Sequence, residues 1–190
     1  YEKLKGLDIS IVVNNVGKYD LDHFEQQNEK DIYQMITINC FPVALLTRKL
    51  IPSMLLRNKK SAIINISAVI ADKPCPYMTI FVSSKTFVHN LSLALSLEQN
   101  INRKIDVLSL KVFQVSSNMI ANRKGFWILE NKECAKGCLE KLGFENNTCG
   151  HWKHEVINWI YENLPESLRI RFFNNAMKMH ENEQWKNEIE

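Results

Sequence analysis

The chain has 190 residues, 24 Lys and Arg against 21 Asp and Glu, a net charge of +3 and 45% hydrophobic residues, the balance of an ordinary globular chain. That length supports one domain with a real core, and without a Lys/Arg block it carries no electrostatic footprint for nucleic acid. No apolar run reaches the ~18 residues of a membrane-spanning helix, and five cysteines, at 40, 75, 134, 138 and 149, read as free buried thiols rather than a disulfide framework. There is no Met at position 1 and no signal peptide, so an upstream extension of the natural protein is expected.

The first element is Ile9 to Val13, a short β-branched run suited to a strand buried on both faces of a parallel sheet. Asn14, Asn15, Val16 and Gly17 end it as a turn. From about Glu29 to Leu56 the apolar positions follow helical spacing, and Pro42 is expected to bend that helix near Asn39 because it removes the bond to the Ile38 carbonyl. Ser61 to Ile66 reads as a second strand, Thr79 to Leu97 as a helix and Ile105 to Leu110 as a third strand. Strand, helix, strand, helix, strand argues for an α/β fold with a parallel sheet. Leu129 to Leu142 reads as a helix. Trp152, Val156, Trp159 and Ile160 fall on one face of the next, and Pro165 starts the last. Residues 1–180 are expected to form a single partial domain, and residues 181–190 a polar tail that frays.

Four landmarks stand in order on these elements: the Asn14-Asn15-Val16-Gly17 strand end, Asn39 in the bent helix, Asn65-Ile66-Ser67-Ala68 at the second strand end, and Phe81-Val82-Ser83-Ser84-Lys85 opening the next helix. Together they resemble the short-chain dehydrogenase/reductase family, and the flanking text, such as Ile51-Pro52-Ser53-Met54 and Ser84-Lys85-Thr86-Phe87-Val88, is similar to its branch of 17-beta-hydroxysteroid dehydrogenases and very-long-chain 3-oxoacyl-CoA reductases. The resemblance runs from about Leu7 to about Asn175 and implies a Rossmann-like parallel sheet with flanking helices, the C-terminal half of that fold, plus C-terminal helices. It also implies NADP(H) as cofactor, with Asn14, Asn15, Val16, Gly17, Lys85 and Ser117 as cofactor-binding positions. Asn39 takes the proton-relay role, and Lys85 binds the ribose and lowers the pKa of a neighbouring Tyr.

The departures matter more. Phe81 stands at the position of the family's proton-donor Tyr, four residues before Lys85, and Ala68 at that of its Ser, thirteen before Phe81. Phenylalanine has no O–H, and loss of a positioned general acid typically costs ~10²–10⁴ in rate. Ser67 should face away from Ala68 if the strand stays extended. Ser83 and Ser84 lie round the helix from Phe81, while Tyr77, in a loop with Pro74 and Pro76, is the one candidate substitute donor. Val112 stands where the family tends to have a Pro. None of the six glycines belongs to a G-x-G-x-x-G turn for the pyrophosphate.

The expected function is therefore a steroid or 3-oxoacyl-CoA reductase homologue, catalytically impaired. The alternatives are an active oxidoreductase with a substitute donor and a decayed gene product. The resemblance implies homodimerisation through the helices at about 29–56 and 79–97, a lipid-like or steroid-like ligand, and location at the endoplasmic reticulum, with the cytoplasm as alternative. Phe126 and Trp127 are candidates to line a hydrophobic pocket. Trp152, Trp159, Phe172 and Phe173, near Arg169 and Arg171, read either as a helical cap on the sheet or as a membrane-surface contact. The spacing Cys149-x-His151-x-x-His154 matches no strong zinc pattern, so no metal is expected.

Overall fold

In a computed structural model, which describes residue 4 and residues 6–189 with side chains to residue 181, four parallel strands lie in the order β1 (Ile11–Asn14), β2 (Ser61–Ala68), β3 (Ile105–Val112), β4 (Asn147–Thr148). The helices are α1 (Glu29–Asn39), α2 (Phe41–Leu55), α3 (Thr79–Leu97), α4 (Gln99–Asn102), α5 (Asn131–Lys141), α6 (Trp152–Asn163) and α7 (Glu166–Ile189). Strands β2 and β3 pair in register along their whole length, from Ser61 opposite Ile105 to Ala68 opposite Val112.

The continuous apolar text of β2 and β3 follows from burial on both faces. Ile63, Ile105 and Val107 pack with Leu50 and Met54 of α2 and, at the margin, Leu95 of α3. Ile64, Leu108 and Leu110 face the other way, onto Cys138 of α5. Ile63 and Leu108 are wholly buried, each worth ~1.5–3 kcal/mol in transfer free energy. The alternation also aims the polar residues of β2: Asn65 donates to Ser92 of α3, and Ser67 to the carbonyl of Lys85.

The expected bend near Asn39 is a break. Cys40 separates α1 from α2, and Pro42 sits in the first turn of α2, where a missing N–H costs no helical bond. Glu29–Leu55 is long and apolar enough to cross a bilayer by length and composition. Its buried side chains, Met35, Val43, Leu50 and Met54, are those of helices packed in the fold, and a core helix passes the same test.

Strand β1 runs one residue past its expected end and β3 two past. Strand β4 lies outside the expected elements, being two residues held against Ser109 and Leu110. Helix α7 continues through the segment expected to fray, to Ile189, and the side chains after residue 181 lie outside the described residues. Strand β1, expected to be buried on both faces, buries Val12 alone: Ile11 and Val13 are exposed, because β1 is the edge of the sheet and one face of it lies uncovered.

Midway along α5, the buried Gly137 packs directly on the backbone of Gly150. A Cβ on Gly137 would stand 2.1 Å from the carbonyl oxygen of Gly150, which itself has φ +71. Backbone on both sides leaves nothing to yield. Gly137→Ala is therefore expected to destabilise the protein by at least ~1–3 kcal/mol, read as a lower midpoint in chemical denaturation with unchanged slope.

Candidate functional site

The site gathers at the C-terminal ends of β1 and β2, beneath the start of α3. Asn14 at the end of β1 donates through Nδ2 to Asn65 Oδ1 at 2.7 Å and to Thr47 Oγ1 of α2 at 3.2 Å. It is thus more than a turn residue: it ties β1, β2 and α2 together beneath the cleft. Asn15 and Val16 are exposed, and Gly17 closes the turn against Lys85 and Asn39. A Cβ on Gly17 would come 3.4 Å from Lys85 Nζ and 3.6 Å from Asn39 Oδ1, so the glycine keeps that space open.

Asn39 is buried, and its amide bridges three segments. Its Oδ1 accepts from Lys18 N at 2.7 Å, and its Nδ2 donates to Lys18 O at 2.9 Å and to Ser84 Oγ at 2.8 Å. No helix capping or back-bonding explains it; it fixes the turn after β1 against α3. Ser84 passes its own proton to the carbonyl of Phe81 at 2.7 Å.

Lys85 is 7% exposed. Its ammonium donates to the carbonyl of Ile66 at 2.9 Å, using one of its three N–H donors. Burial lowers its pKa to about 8, with Cys40 pulling weakly the other way. Phe81 is 8% exposed, and its ring centroid lies 5.8 Å from Lys85 Nζ. Ala68 ends β2 in extended conformation, on the strand face opposite Ser67. The ammonium poised near neutrality therefore faces a hydrocarbon ring where a phenol would answer it.

The hydroxyls of Ser67, Ser84 and Tyr77 are committed elsewhere. Ser67 donates to Lys85 O, and Ser84 to Phe81 O. Tyr77 adopts φ +65, an uncommon conformation for a bulky residue. Its phenol donates to Asn174 of α7 at 3.0 Å, and its ring packs edge-on to His23 at 5.1 Å. Tyr19, in the loop after β1, is the aromatic residue that meets Phe81, edge to face at 5.6 Å. Burial raises the pKa of its phenol. Nothing in the spacing of the sequence marked Tyr19, because that loop has no periodicity.

Beyond β3, Ser117 is half-buried and its carbonyl accepts from Ile120 N and Asn122 N in a tight turn. The segment following Val112 is held by His154 of α6, another residue that sequence reasoning missed as a functional part. Its Nδ1 accepts from Phe113 N at 3.3 Å, and its Nε2 lies 3.3 Å from Gln114 O. Burial pushes its pKa down to about 4, so it is neutral and serves both partners.

Two expectations are overturned here. Phe126 and Trp127, expected to line a hydrophobic pocket, sit instead on the surface, 64% and 42% exposed, Phe126 stacking edge-on with Trp127 at 5.0 Å and with Trp152 at 6.2 Å. The stripe of α6 expected to cap the sheet points outward. Trp152 is 57% and Trp159 66% exposed, Val156 and Ile160 are also exposed, and the helix buries His154 and Asn158 instead. His154 finds partners in the β3–α5 segment, while Asn158 donates to Glu162 of its own helix and leaves its Oδ1 unpaired. Phe172 is exposed too, whereas Phe173 and Arg169 are buried.

The family model for short chain dehydrogenase matches residues 2–125. The chain is 32% identical over 176 residues to inactive hydroxysteroid dehydrogenase-like protein 1 of Homo sapiens, covering 89% of this chain and 53% of that protein. It is 32% identical over 194 residues to very-long-chain 3-oxoacyl-CoA reductase of Macaca fascicularis, covering 95% of this chain and 61% of that protein. The chain thus spans about half the length of the curated relatives it matches. A solved 7beta-hydroxysteroid dehydrogenase shares the fold at TM-score 0.75 and 18% identity, over 91% of this chain and 69% of that one.

Proposed function

Because this chain belongs to the short-chain dehydrogenase/reductase family, we propose that it is a catalytically impaired homologue of the steroid and 3-oxoacyl-CoA reductases, retaining a nicotinamide-nucleotide site without a proton donor. The observation that carries this reading is the ring of Phe81 beside the buried ammonium of Lys85, with Ala68 at the end of β2. General-acid transfer needs an O–H within hydrogen-bond reach of the carbonyl oxygen, and neither side chain has one. The name of the human relative, inactive hydroxysteroid dehydrogenase-like protein 1, supports the same direction.

The residues present fit the nicotinamide-ribose half of NADP(H). The open space over Gly17, between Lys85 Nζ and Asn39 Oδ1, suits a sugar edge, and Lys85 keeps N–H donors beyond the one given to Ile66 O. Asn14, Asn15, Val16 and Gly17 would carry the turn against it, and Ser117 the loop beyond. When bound, the cofactor supplies hydride. Lys85 orients the ribose, and Asn39 holds the turn and α3 in place.

The test is direct. The natural protein should quench its Trp fluorescence saturably with NADPH, yet give no turnover of a 3-oxoacyl-CoA or a steroid ketone above background. Measurable product would end the impaired reading. A substitute donor remains the alternative, and if turnover is found, its survival in Tyr77→Phe would remove Tyr77.

The same reading extends to partners. The outer sides of α1, α2 and α3 expose Tyr33, Phe41, Leu45 and Phe87, a surface suited to a homodimer of packed helices. Light scattering showing monomer alone would remove it. Location at the endoplasmic reticulum and a lipid-like or steroid-like ligand are proposed with it. The outward stripe of α6, with Phe126 and Lys153 beside it, suits peripheral contact with an anionic bilayer. Trp152→Asp with Trp159→Asp should cut binding to phosphatidylserine vesicles at least about tenfold. Leu45→Asp, on α2, should leave it unchanged.

A further inference from the structure

Away from Phe81, one buried cation among the described residues stands without a salt bridge. Arg169, in the first turns of α7, is 8% exposed, and its Nε and Nη1 have no hydrogen-bond partner. The ring packed on it, that of Tyr161, is neutral, and no salt bridge among the described residues joins it to Glu166, the exposed carboxylate nearby. Its guanidinium carbon lies 5.7 Å from the ring centroid of Tyr161, whose hydroxyl sits 2.7 Å from Cys75 Sγ. Burial raises the pKa of both Tyr161 and Cys75, so neither is an anion at neutral pH. A buried charge without a partner is strongly unfavourable, and such a group is explained most simply by a ligand that completes it.

A cavity of about 200 Å³ lies beside it, lined by Arg169 with Glu166 and Ile170 of α7 and with Pro74 and Pro76 of the loop after β2. Its volume is below the ~300–1,000 Å³ of sites for drug-sized ligands. It suits one acid group and a short stem. The start of α7 lies here as well, with Leu168 N and Arg169 N turning back onto Pro165 O. The positive end of a helix adds to the attraction for an anion. The prolines and Ile170 give the stem an apolar wall.

We propose that this cavity binds the carboxylate of a small organic acid through Arg169. The class is a monoanion, because Glu166 lines the same cavity and repels a second negative charge. A carboxylate seated there takes hydrogen bonds that the protein leaves unmade, and its stem lies against Pro74, Pro76 and Ile170. The site is independent of turnover at Phe81, and its test does not rest on the reductase reading.

Sodium butyrate titrated into the full chain, uniformly ¹⁵N-labelled, should shift the backbone N–H resonance of Ile170, which lines the cavity beside Arg169, saturably. Inorganic phosphate, largely a dianion at pH 7.5, should bind at least about fivefold more weakly, because a second charge near Glu166 is repelled. Arg169→Met should abolish the response to both. Should that variant fail to fold, Glu166→Gln decides: at an exposed position, it should keep the fold and improve phosphate more than butyrate. A shift that never saturates, an unchanged response in Arg169→Met, or phosphate binding more tightly than butyrate would each overturn the proposal.

Discussion

Restoring both hydroxyls, Phe81→Tyr together with Ala68→Ser, should raise nicotinamide-dependent ketone reduction by ~10²–10⁴ over the parent protein. The geometry is prepared for it. Phe81 occupies the ring position, Lys85 Nζ lies 5.8 Å from its centroid, and the ammonium already has a pKa near 8. A phenol introduced there meets a neighbouring positive charge, which lowers its own pKa towards the working range. Phe81→Tyr alone should give most of the gain, since it supplies the proton. Ala68→Ser adds a donor to the carbonyl oxygen, an effect of ~10²–10³ where such donors have been removed from other enzymes, and the two need not multiply. Parent and variants are to be compared in the natural protein, by NADPH consumption matched to product mass. If the double variant binds NADPH yet stays at the parent's background, the defect lies beyond these two residues. The segment after β3, where Val112 stands, is then the next place to look. If neither protein binds NADPH, the proposed nucleotide site falls as well.

Much of this arrangement is legible in the amino-acid text, for reasons that can be named. Helix α3 runs from Thr79 to Leu97 as its periodicity predicts, and the apolar runs of β2 and β3 are strands covered on both faces. The parity of β2 alone separates Ser67 from Ala68, and the structure turns Ser67 into the carbonyl of Lys85. Spacing failed where the environment of a helix face, rather than the helix itself, was the question. The stripe from Trp152 to Ile160 defines a face, but periodicity does not say which face meets the protein. His154 takes the inner side because hydrogen-bond partners from the segment after β3 await it there, and Asn158, one turn on, follows it inward. Polar residues inside helical text were the available signal, and the bulk of the tryptophans masked it. Asn65, a polar residue in the middle of an apolar strand, was a similar signal, and it proves to join Asn14 to Ser92. Tyr19 and Arg169 had none, since each meets residues far along the chain, Phe81 for Tyr19 and Pro74 and Pro76 for Arg169.

His154 makes the fold acid-labile in a window where few other groups titrate. In the folded protein its pKa is pushed from 6.5 to about 4 by burial, the Gln114 carbonyl offsetting this in part. Between those values the unfolded chain holds more protons than the folded one, so stability falls as pH falls. The contribution is complete above pH 6.5, weakens by ~1.4 kcal/mol per unit below it, and amounts to a loss of ~2 kcal/mol at pH 5. His89, also lowered by burial, adds in the same direction while Asp72 opposes it. Denaturant titrations at pH 7.0, 6.0 and 5.0 should therefore show a steadily falling midpoint before ordinary carboxylates begin to protonate. His154→Gln keeps a donor and an acceptor for Phe113 N and Gln114 O, and should flatten most of that slope while costing some stability at pH 7. The same variant should loosen the segment after β3, so hydrogen exchange at Phe113 should quicken in parallel. A parent protein equally stable at pH 7 and pH 5 would mean that His154 is not buried as a neutral ring, and that the loop beyond Val112 is held by something else.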